Sequence, residues 1–518
     1  MRRISKAVAV PATGLVNLRL AVPIAALALL VTACGGSSSG QSSSGATAGG
    51  EKDKLVLGMT ADINGWQPND QPSYQGWGVD AVYDRLVKCQ RDGSITAAAA
   101  TTWELSKDNK SFTAHLRPGM KFTDGTPVDA TAVEASFKLL SKTASDRYGG
   151  ITFASPDAKT VTITWPAPQP LMNTRVCSPY LASAKYLASG DLKTAPVGSG
   201  PYTLDKAGTT AGSVYSFVKN EKFYDAKSYP YKRLELRVIT SETASLNALK
   251  SGQINGTVIT ASSYDEATKS GLTVLKELSG QTQFLLADHL GKKIPALGNV
   301  DVRRAINMVL DKQQIVDKLY DGQAAPIYQT FHKGDEAYVD TPDPYPYDVA
   351  KAKALMQQSG FQAGFTLTVP TMEGQAWTVM LPYVTQQLAL LNIKVQQKAL
   401  TGPNAITELL SGEFPAPLWT VGSPSSLEDI TIQVLPSGFW NVMHQPDAKV
   451  DALWKQILTG DQQQKVAAQQ EIGKYVLDQA WFAPILSPAS FYAYDSKKVA
   501  VPAATDPSHI HPLLIDFK

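Results

Sequence analysis

Histidine, serine and acidic side chains build most hydrolytic sites, so their spacing shows whether the chain could do chemistry. None of the six histidines is followed by glutamate, so the HExxH zinc motif is absent from the sequence. The sequence also lacks a Gly-Lys-Ser or Gly-Lys-Thr triplet, and therefore a phosphate-binding P-loop. These absences argue against metallohydrolase and nucleotide-dependent activity.

Three further partial matches to catalytic or metal-binding motifs are better explained without enzymatic activity. Gly36–Gly40 fits the GxSxG pattern, but it lies in a low-complexity segment with no strand or helix to strain the serine. His509 and His511 are more simply two exposed tail residues than a metal site, which needs further ligands. The paired carboxylates Glu428-Asp429 are interpreted as part of a solvated loop. We therefore expect no catalytic residue, no metal and no cofactor.

Aromatic residues are the remaining candidates for binding. Nine tryptophans and twenty tyrosines are ample for a cleft that takes a sugar, a peptide or haem, because aromatic faces bind apolar and π surfaces. Taken singly, each tryptophan is more often a core residue than a ligand contact.

The N-terminus is typical of an export signal. Arg2, Arg3 and Lys6 precede an apolar run from Leu20 to Val31, and residues 31–34, Val-Thr-Ala-Cys, resemble a bacterial lipobox. This pattern predicts removal of residues 1–33 and lipidation of Cys34. The alternatives are a plain secretory signal or a membrane anchor, although the run is shorter than the ~20 residues of a spanning helix. Residues 34–50, rich in Gly, Ser, Ala and Thr, indicate a flexible tether.

Charge and hydropathy agree with an exported protein. The net charge is +2, and it becomes slightly negative once the basic, acid-free segment 1–33 is removed. No basic stripe remains that would favour nucleic acid. No other apolar segment is long enough to span a membrane, so we expect a soluble monomer held by lipid on the outer face of the cytoplasmic membrane.

The cysteines support the same compartment. If Cys34 carries lipid, Cys89 and Cys177 remain, and an even pair outside the cytoplasm can form a disulfide. We favour the bridge, because both residues fall in the same predicted lobe. The alternative is two separate buried thiols.

The stretch from Trp103 to Phe137 gives the clearest structural signals. Residues 112–116 alternate apolar and polar as a half-buried strand does, and the Pro-Gly pair at 118–119 ends it. Residues 121–123 predict a second short strand. Asp129 is then a good N-cap for a helix that carries Val133 and Phe137 on one face.

At these residues the chain resembles the family 5 solute-binding proteins, which are extracellular receptors of ABC importers for peptides, nickel, haem, opines and some sugars. The resemblance runs from about Leu55 to Ile485 and rests on long scaffold motifs that do not identify the solute. These motifs are residues 116–119 (LRPG), 122–127 (FTDGTP), 132–137 (AVEASF), 83–86 (YDRL), 196–202 (PVGSGPY) and 301–306 (DVRRAI).

The second half of the chain predicts an α/β arrangement. Asp301 and Asp311 are each expected to cap a helix. Helix 349–359, strand 365–369, helix 379–391 and strand 393–395 then follow in the order of a βαβ unit.

The resemblance implies an α/β fold of the periplasmic-binding-protein type II, in the large (cluster C) form. This form is a two-lobed clamshell with an extra domain. The implied division is domain I at 51–84, 198–288 and 488–518, domain II at 85–197 and domain III at 289–487.

The resemblance also implies where solute contacts lie. Tyr74, Trp77, Trp377, Trp419 and Trp440 occupy places from which such receptors contact their solutes. The resemblance to peptide-binding members implies a Trp-x-x-Asp-Tyr segment in the second lobe, in which the Asp pairs with the ammonium terminus of the ligand. Here Gly422 stands at the Asp position, and a buried ammonium without a counter-charge is costly. Peptides bound in the usual way are therefore disfavoured, unless Glu373 or Glu428 substitutes.

The function that follows is a lipid-anchored solute receptor of an ABC importer. It would capture an organic solute, such as a peptide or oligosaccharide, between two closing lobes and deliver it to a permease driven by an ATPase subunit. Two alternatives stay open from the sequence: a lipoprotein that senses or chaperones without import, and an exported hydrolase.

Overall fold

Most of the chain after residue 51 is described by a computed structural model. The described residues are 52–69, 76–90, 93–189, 191, 193–278, 280–372, 375–402, 404–423, 425–501 and 512–518. The predicted signal segment, the tether and Cys34 lie outside them, as do Tyr74 and Glu373. The described residues belong to one unit that spans 49–518.

The strands, numbered in chain order, are β1 (Lys52–Met59), β2 (Asp84–Arg85), β3 (Val87–Cys89), β4 (Ile95–Ala97), β5 (Ala100–Leu105), β6 (Ser111–Leu116), β7 (Thr152–Asp157), β8 (Thr160–Thr164), β9 (Tyr180–Leu181), β10 (Tyr202–Leu204), β11 (Val214–Lys219), β12 (Tyr231–Val238), β13 (Gly256–Ile259), β14 (Thr273–Leu278), β15 (Gln281–Leu285), β16 (Ala325–Pro326), β17 (Thr366–Met372), β18 (Lys394–Leu400), β19 (Leu418–Val421), β20 (Phe482–Ser487) and β21 (Ala489–Tyr494).

The α-helices are α1 (Gly76–Val82), α2 (Ala130–Thr143), α3 (Ser145–Tyr148), α4 (Met172–Cys177), α5 (Ala184–Ser189), α6 (Glu242–Lys250), α7 (Ala261–Lys269), α8 (Val300–Val309), α9 (Lys312–Leu319), α10 (Val349–Gln358), α11 (Leu381–Ala389), α12 (Ala405–Leu409), α13 (Ser426–Asp429), α14 (Ala448–Thr459) and α15 (Gln462–Asp478). Short 3-10 helices cover Ala226–Ser228, Pro295–Gly298, Ala376–Met380 and Leu514–Asp516, and a π-helical turn covers Ile430–Val434.

The large sheet collects strands from distant parts of the chain. Its order is β10-β11-β12-β1-β13-β21-β14. Strand β1 lies in its middle and runs parallel to both β12 and β13. Residues Leu55–Met59 of β1 are all buried, as expected for a strand covered on both faces. The sheet thereby joins the start, the middle and the end of the described chain, whereas the predicted domain limits themselves stay a prediction.

The family motifs near residue 120 build a smaller antiparallel sheet and the helix on it. The sheet has the order β5-β6-β8-β7. In β6, residues Phe112, Ala114 and Leu116 are buried and alternate with more exposed residues, which confirms the predicted strand. Asp129 caps α2, because its Oδ1 accepts from the backbone N–H of Ala132 at 3.0 Å, which confirms the predicted cap. The predicted strand 121–123 is reduced to a single bridge between Lys121 and Pro127.

A glycine-containing turn holds this part of the chain against α1. A Cβ added to Gly198 would lie 1.9 Å from the backbone oxygen of Val82, and one added to Gly200 would lie 2.7 Å from the Val82 carbonyl carbon. Only glycine permits such an approach. The close-packed turn predicted at 196–202 is therefore confirmed.

The second half of the chain contains the predicted βαβ unit and a second sheet. Strands β17 and β18 pair in parallel, with α11 between them in sequence. The second sheet, here called the central sheet, has the order β16-β20-β15-β19. Asp311 caps α9 as predicted. The prediction for Asp301 was wrong: Asn299 caps α8 by accepting from the N–H of Asp301, which places Asp301 in the first turn.

A disulfide joins Cys89 at the end of β3 to Cys177 at the end of α4, with 5.2 Å between the Cα atoms. The two cysteines are 88 residues apart in sequence. The bridge therefore ties two distant segments together. Among the described helices, none combines the length and apolar composition needed to cross a membrane.

Candidate binding site

Three of the predicted aromatic residues come together at the edge of the central sheet. Trp377 lies in the 3-10 helix Ala376–Met380, Trp419 in β19, and Trp440 just after the π-helical turn. The Trp419 ring lies 5.7 Å from Trp377 and 5.4 Å from Trp440, measured between centroids. Trp377 is buried, whereas Trp419 and Trp440 are half-buried and Phe439 beside them is 43% exposed. We call Trp377, Trp419 and Trp440 the tryptophan cluster.

The other predicted contacts do not join this cluster. Trp77 is 3% exposed in the core beside the large sheet, and its Nε1 donates to the backbone oxygen of Pro512 at 2.7 Å. Its ring makes edge contacts with Tyr492 and Phe517. Gly422 is exposed directly after β19, where an added Cβ would lie 3.3 Å from the Cα of Gly280.

Strand β15 places two buried glutamines on the face of the central sheet that carries Trp419. In the antiparallel register, Gln283 is opposite Trp419 and Gln281 is opposite Val421. Directly opposed residues point to the same side of a sheet. Both glutamines are at most 1% exposed. The tryptophan cluster is therefore bordered by buried amides on the same face.

A chain of hydrogen bonds leads from these amides to a buried carboxylate. Gln283 Nε2 donates to Thr330 Oγ1 at 2.9 Å and to Gln433 Oε1 at 2.8 Å. Gln433 Nε2 in turn donates to Asp429 Oδ1 at 2.6 Å. When Asp429 is ionised it can only accept, so it then fixes the orientation of Gln433, which in turn fixes that of Gln283.

The segment that carries Asp429 has an unusual backbone. Asp429 is the last residue of α13, and the π-helical turn Ile430–Val434 follows directly. The N–H of Trp440 donates to the backbone oxygen of Ile432 in that turn. Single π-helical turns occur frequently at functional sites. The same turn thus positions Gln433 of the amide chain and Trp440 of the cluster.

A loop at 329–337 covers the polar face. His332 Nε2 lies 2.6 Å from Gln281 Nε2, and Asp335 donates its backbone N–H to the His332 carbonyl. At the end of the loop, the N–H of Ala337 donates to Ser426 Oγ in α13 at 3.3 Å. These contacts hold Asp335 near the acidic end of α13.

Burial controls the protonation of this face. Burial, and after it the charges of Asp335 and Glu428, raises the pKa of Asp429 to about 7, although hydrogen bonds with Ser423 and Gln433 act to lower it. Burial also raises the pKa of Asp335 to about 6 and lowers that of His332. The interpretation of Glu428-Asp429 as a solvated loop was therefore wrong: Asp429 is 0% exposed. In the described part of the chain, no group of three His, Cys, Asp or Glu residues could hold a metal ion.

Sequence reasoning missed the polar half of this site. Its members are Gln281, Gln283, Thr330, Asp335, Asp429 and Gln433. One signal was available, because residues 281–285 (QTQFL) place two glutamines at alternate positions directly before the apolar residues Phe284 and Leu285. Polar side chains at alternate positions of a buried strand must find partners on one face.

Comparison with known proteins adds a family and a fold. The family model described as "Bacterial extracellular solute-binding proteins, family 5 Middle" matches residues 94–436. Protein XP55 of Streptomyces lividans is 26% identical over 88% of this chain and 87% of its own. The probable D,D-dipeptide-binding periplasmic protein DdpA of Escherichia coli K12 is 25% identical over 83% of this chain and 87% of its own.

Among solved structures, NikA from Brucella suis in complex with Fe(III)-EDTA aligns with a TM-score of 0.77 and 20% identity. The alignment covers 90% of this chain and 100% of that one. This likeness confirms the α/β, two-lobed type II fold.

Proposed function

The chain belongs to the family 5 bacterial extracellular solute-binding proteins, and on this premise we propose that it is the lipid-anchored receptor of an ABC importer for an organic solute. Members of this family are extracytoplasmic transport receptors and not enzymes. They bind small solutes and deliver them to ABC permease and ATPase components. The finer points proposed here are the anchor, the site and the class of solute.

The tryptophan cluster and the amide face beside it are the proposed wall of the solute site. The supporting observation is that half-buried aromatic rings border buried polar groups on one sheet face. Ligand sites are typically apolar pockets with a few polar groups that fix orientation. In this proposal the wall belongs to the lobe that contains the central sheet, and the facing wall to the lobe that contains the large sheet.

Closure of the lobes would couple capture to delivery. A solute shifts the population toward a closed form only if it contacts both lobes more favourably there. The closed receptor would then dock on its permease. The related proteins have unlike ligands by their names, a D,D-dipeptide for DdpA and Fe(III)-EDTA in the NikA complex. Family membership therefore leaves the solute itself open.

A thermal-shift screen tests the site. The purified protein is mixed with peptides, oligosaccharides, haem and metal chelates, and a specific solute should raise Tm as its concentration rises. The same titration is repeated with Trp419→Ala and Trp440→Ala. We expect these variants to lose most of the shift, whereas an unchanged shift in both would place the site elsewhere.

The anchor is tested separately at Cys34. Cys34→Ala should release the protein into the medium, because lipidation requires the thiol. A matched change in the tether, Ser38→Ala, should leave the protein with the membrane. Continued membrane association of the Cys34→Ala variant would contradict lipid anchoring.

A further inference from the structure

A small cavity lies between helices α8 and α15, strand β20 and the segment at 328–331. Its lining includes Asn307 of α8, Val476 of α15, Phe482 of β20, and the side chains of Thr330 and Tyr345. The space open to the centre of a water molecule is about 10 Å³. That is close to the smallest space that holds one water, and it is too small for an organic solute.

The amide of Asn307 has a fixed orientation in this cavity. Its Nδ2 donates to the backbone oxygens of Arg303 at 3.1 Å and Phe482 at 2.9 Å. Turning the amide would place its oxygen against these two carbonyl oxygens, which can only accept. Asn307 is 0% exposed, and its Oδ1 has no hydrogen-bond partner among the described residues.

This amide oxygen needs a donor. Burying a polar atom without a hydrogen bond is unfavourable, and buried polar atoms in folded proteins are nearly always paired with protein groups or with ordered water. Because Asn307 lines the cavity, a molecule held there is in reach of Oδ1. The ligand that fits must therefore be of water size and must donate a hydrogen bond.

Other polar groups around the cavity can complete the hydrogen bonds of such a ligand. Tyr328, Thr330 and Tyr345 all carry a hydroxyl and all belong to its lining. The Tyr345 hydroxyl donates to the backbone oxygen of Leu477 at 2.6 Å, so its own oxygen is left to accept. A buried water typically has two to four polar partners, and this lining provides a choice of them.

The charges beside the cavity favour a neutral ligand over a cation. Lys312 is buried, and its Nζ lies 5.1 Å from the centroid of the Tyr328 ring. Arg303, one turn before Asn307 on α8, is buried as well. Asp343 offsets part of the charge of Lys312. A sodium or ammonium ion of water size would still be placed beside two buried cations, whereas water would not be repelled.

We propose that this cavity is the binding site of one internal water, which donates a hydrogen bond to Asn307 Oδ1 and joins α8 to the segment at 328–331. Thr330 of that segment accepts from Gln283 Nε2 at 2.9 Å, and Gln283 is opposite Trp419 in the proposed solute wall. The water therefore lies behind the wall and supports it. This link to the solute site rests on the proposed function, whereas the water site itself does not.

A crystal structure of the exported chain, at a resolution that shows ordered water, tests the site directly. We expect density for one water about 2.7–3.2 Å from Asn307 Oδ1. A second crystal soaked in rubidium chloride tests for a cation, because a rubidium ion scatters anomalously. Absence of density beside Oδ1, or an anomalous peak there, would overturn the proposal.

Unfolding of variants tests the same site in solution. Val476→Ile adds a methylene beside the cavity, so it should displace the water and leave Oδ1 without a donor. Asn307→Leu has a similar size and lacks that oxygen. We expect Val476→Ile to lower Tm by about 1–2 °C more in the parent than in the Asn307→Leu background, where only overpacking remains.

The control is Val133→Ile, at a buried valine of α2 in another part of the core, which should lower Tm equally in both backgrounds. A higher Tm for Val476→Ile in the parent, or an equal loss in both backgrounds, would show a dry cavity and overturn the proposal. The density beside Oδ1 is measured on the parent chain, so it decides the matter even if Asn307→Leu fails to fold. None of these results bears on the receptor function, which the thermal-shift screen tests.

Discussion

Tryptophans occur in two regions of this protein, Trp66 and Trp77 beside the large sheet and the tryptophan cluster at the central sheet, and their polar atoms have different partners. Beside the large sheet, the Nε1 of Trp77 donates to Pro512 O, and the backbone oxygen of Trp66 accepts from Tyr83 OH at 2.5 Å. In the tryptophan cluster, the buried Nε1 of Trp377 has no acceptor within the described chain. The Trp77 indole is thus satisfied by the backbone and behaves as a core residue, whereas the Trp377 indole N–H is left without an acceptor among the described residues.

Both regions contain buried polar atoms without a partner in the described part of the chain, and they differ in the charges that surround those atoms. The region of the large sheet also contains buried atoms without a partner among the described residues, Tyr492 OH and Asp84 Oδ2. Burial raises the pKa of Asp84 to about 7, as it does for Asp429. The difference is that Asp84 has Lys88 and Arg85 nearby, whose charges lower its pKa. Asp429 instead faces two further carboxylates.

Truncation of one tryptophan from each group should separate stability from binding most clearly. Trp77→Ala should cost about 3–5 kcal/mol of unfolding free energy, because it empties a closed core. Trp440→Ala should cost about 1–2 kcal/mol, because that ring is already half-exposed. Urea denaturation followed by far-UV circular dichroism measures both. Equal losses would show that Trp440 is also a core residue.

Loss of the amide in the middle of the polar chain should have the next largest effect. Gln433→Leu removes the donor to Asp429 and the acceptor of Gln283, so it should cost about 2–4 kcal/mol at pH 8. The cost should be smaller in an Asp429→Asn background, because a neutral partner needs the donor less. A double-mutant cycle by urea denaturation measures this coupling. Additive effects would mean that the two side chains do not act together.

The sequence predicted features that depend on neighbouring residues and missed those that depend on contacts between distant parts of the chain. The strand of β6 and the cap at Asp129 depend on residues a few positions apart, and their periodicity is visible in the sequence. Asp301 was misplaced because Asn299, two residues earlier, is an equally good capping type. Asp429, by contrast, is linked through Gln433 to Gln283, which lies 150 residues from Gln433 in sequence. No local pattern encodes that contact.

The tryptophans show the same limit. Trp77 and Trp419 both lie in plausible loops or strand ends when seen as sequence. The separation between core and cluster depends on which acceptor each indole meets, and for Trp77 this is Pro512, 435 residues away in sequence. Residue type and spacing therefore predicted the candidate residues, but the hydrogen-bond partners of these residues could be identified only from the folded structure.

Removal of the charge of Asp429 should raise the stability of the free protein at pH 8. The folded-state pKa of about 7 lies above the unfolded value near 3.9, so the folded state holds the proton more tightly. That contribution to stability is full below about pH 4 and is lost as pH rises to about 7. Asp429→Asn does not titrate, so it should be more stable than the parent by about 1–3 kcal/mol at pH 8.

The same variant should gain little at pH 4, where Asp429 is neutral in the folded state and about half-protonated in the unfolded state. Denaturation at the two pH values measures the difference. Asp335, Glu428 and His332 also titrate on this face, so the comparison is made between the parent and the variant at each pH. A gain that is equal at pH 4 and pH 8 would contradict a charge-based origin.

The smallest expected effect is the most direct test of the comparison. Trp77→Phe and Trp377→Phe remove the same atoms from two buried sites and leave cavities of similar size. Trp77→Phe also removes the hydrogen bond from the indole Nε1 to Pro512 O, whereas Trp377→Phe removes an N–H that has no acceptor among the described residues. The first should therefore cost about 1–2 kcal/mol more than the second. If both changes cost the same, the Trp377 indole N–H has a partner in solution, and the contrast between the two groups would be one of packing alone.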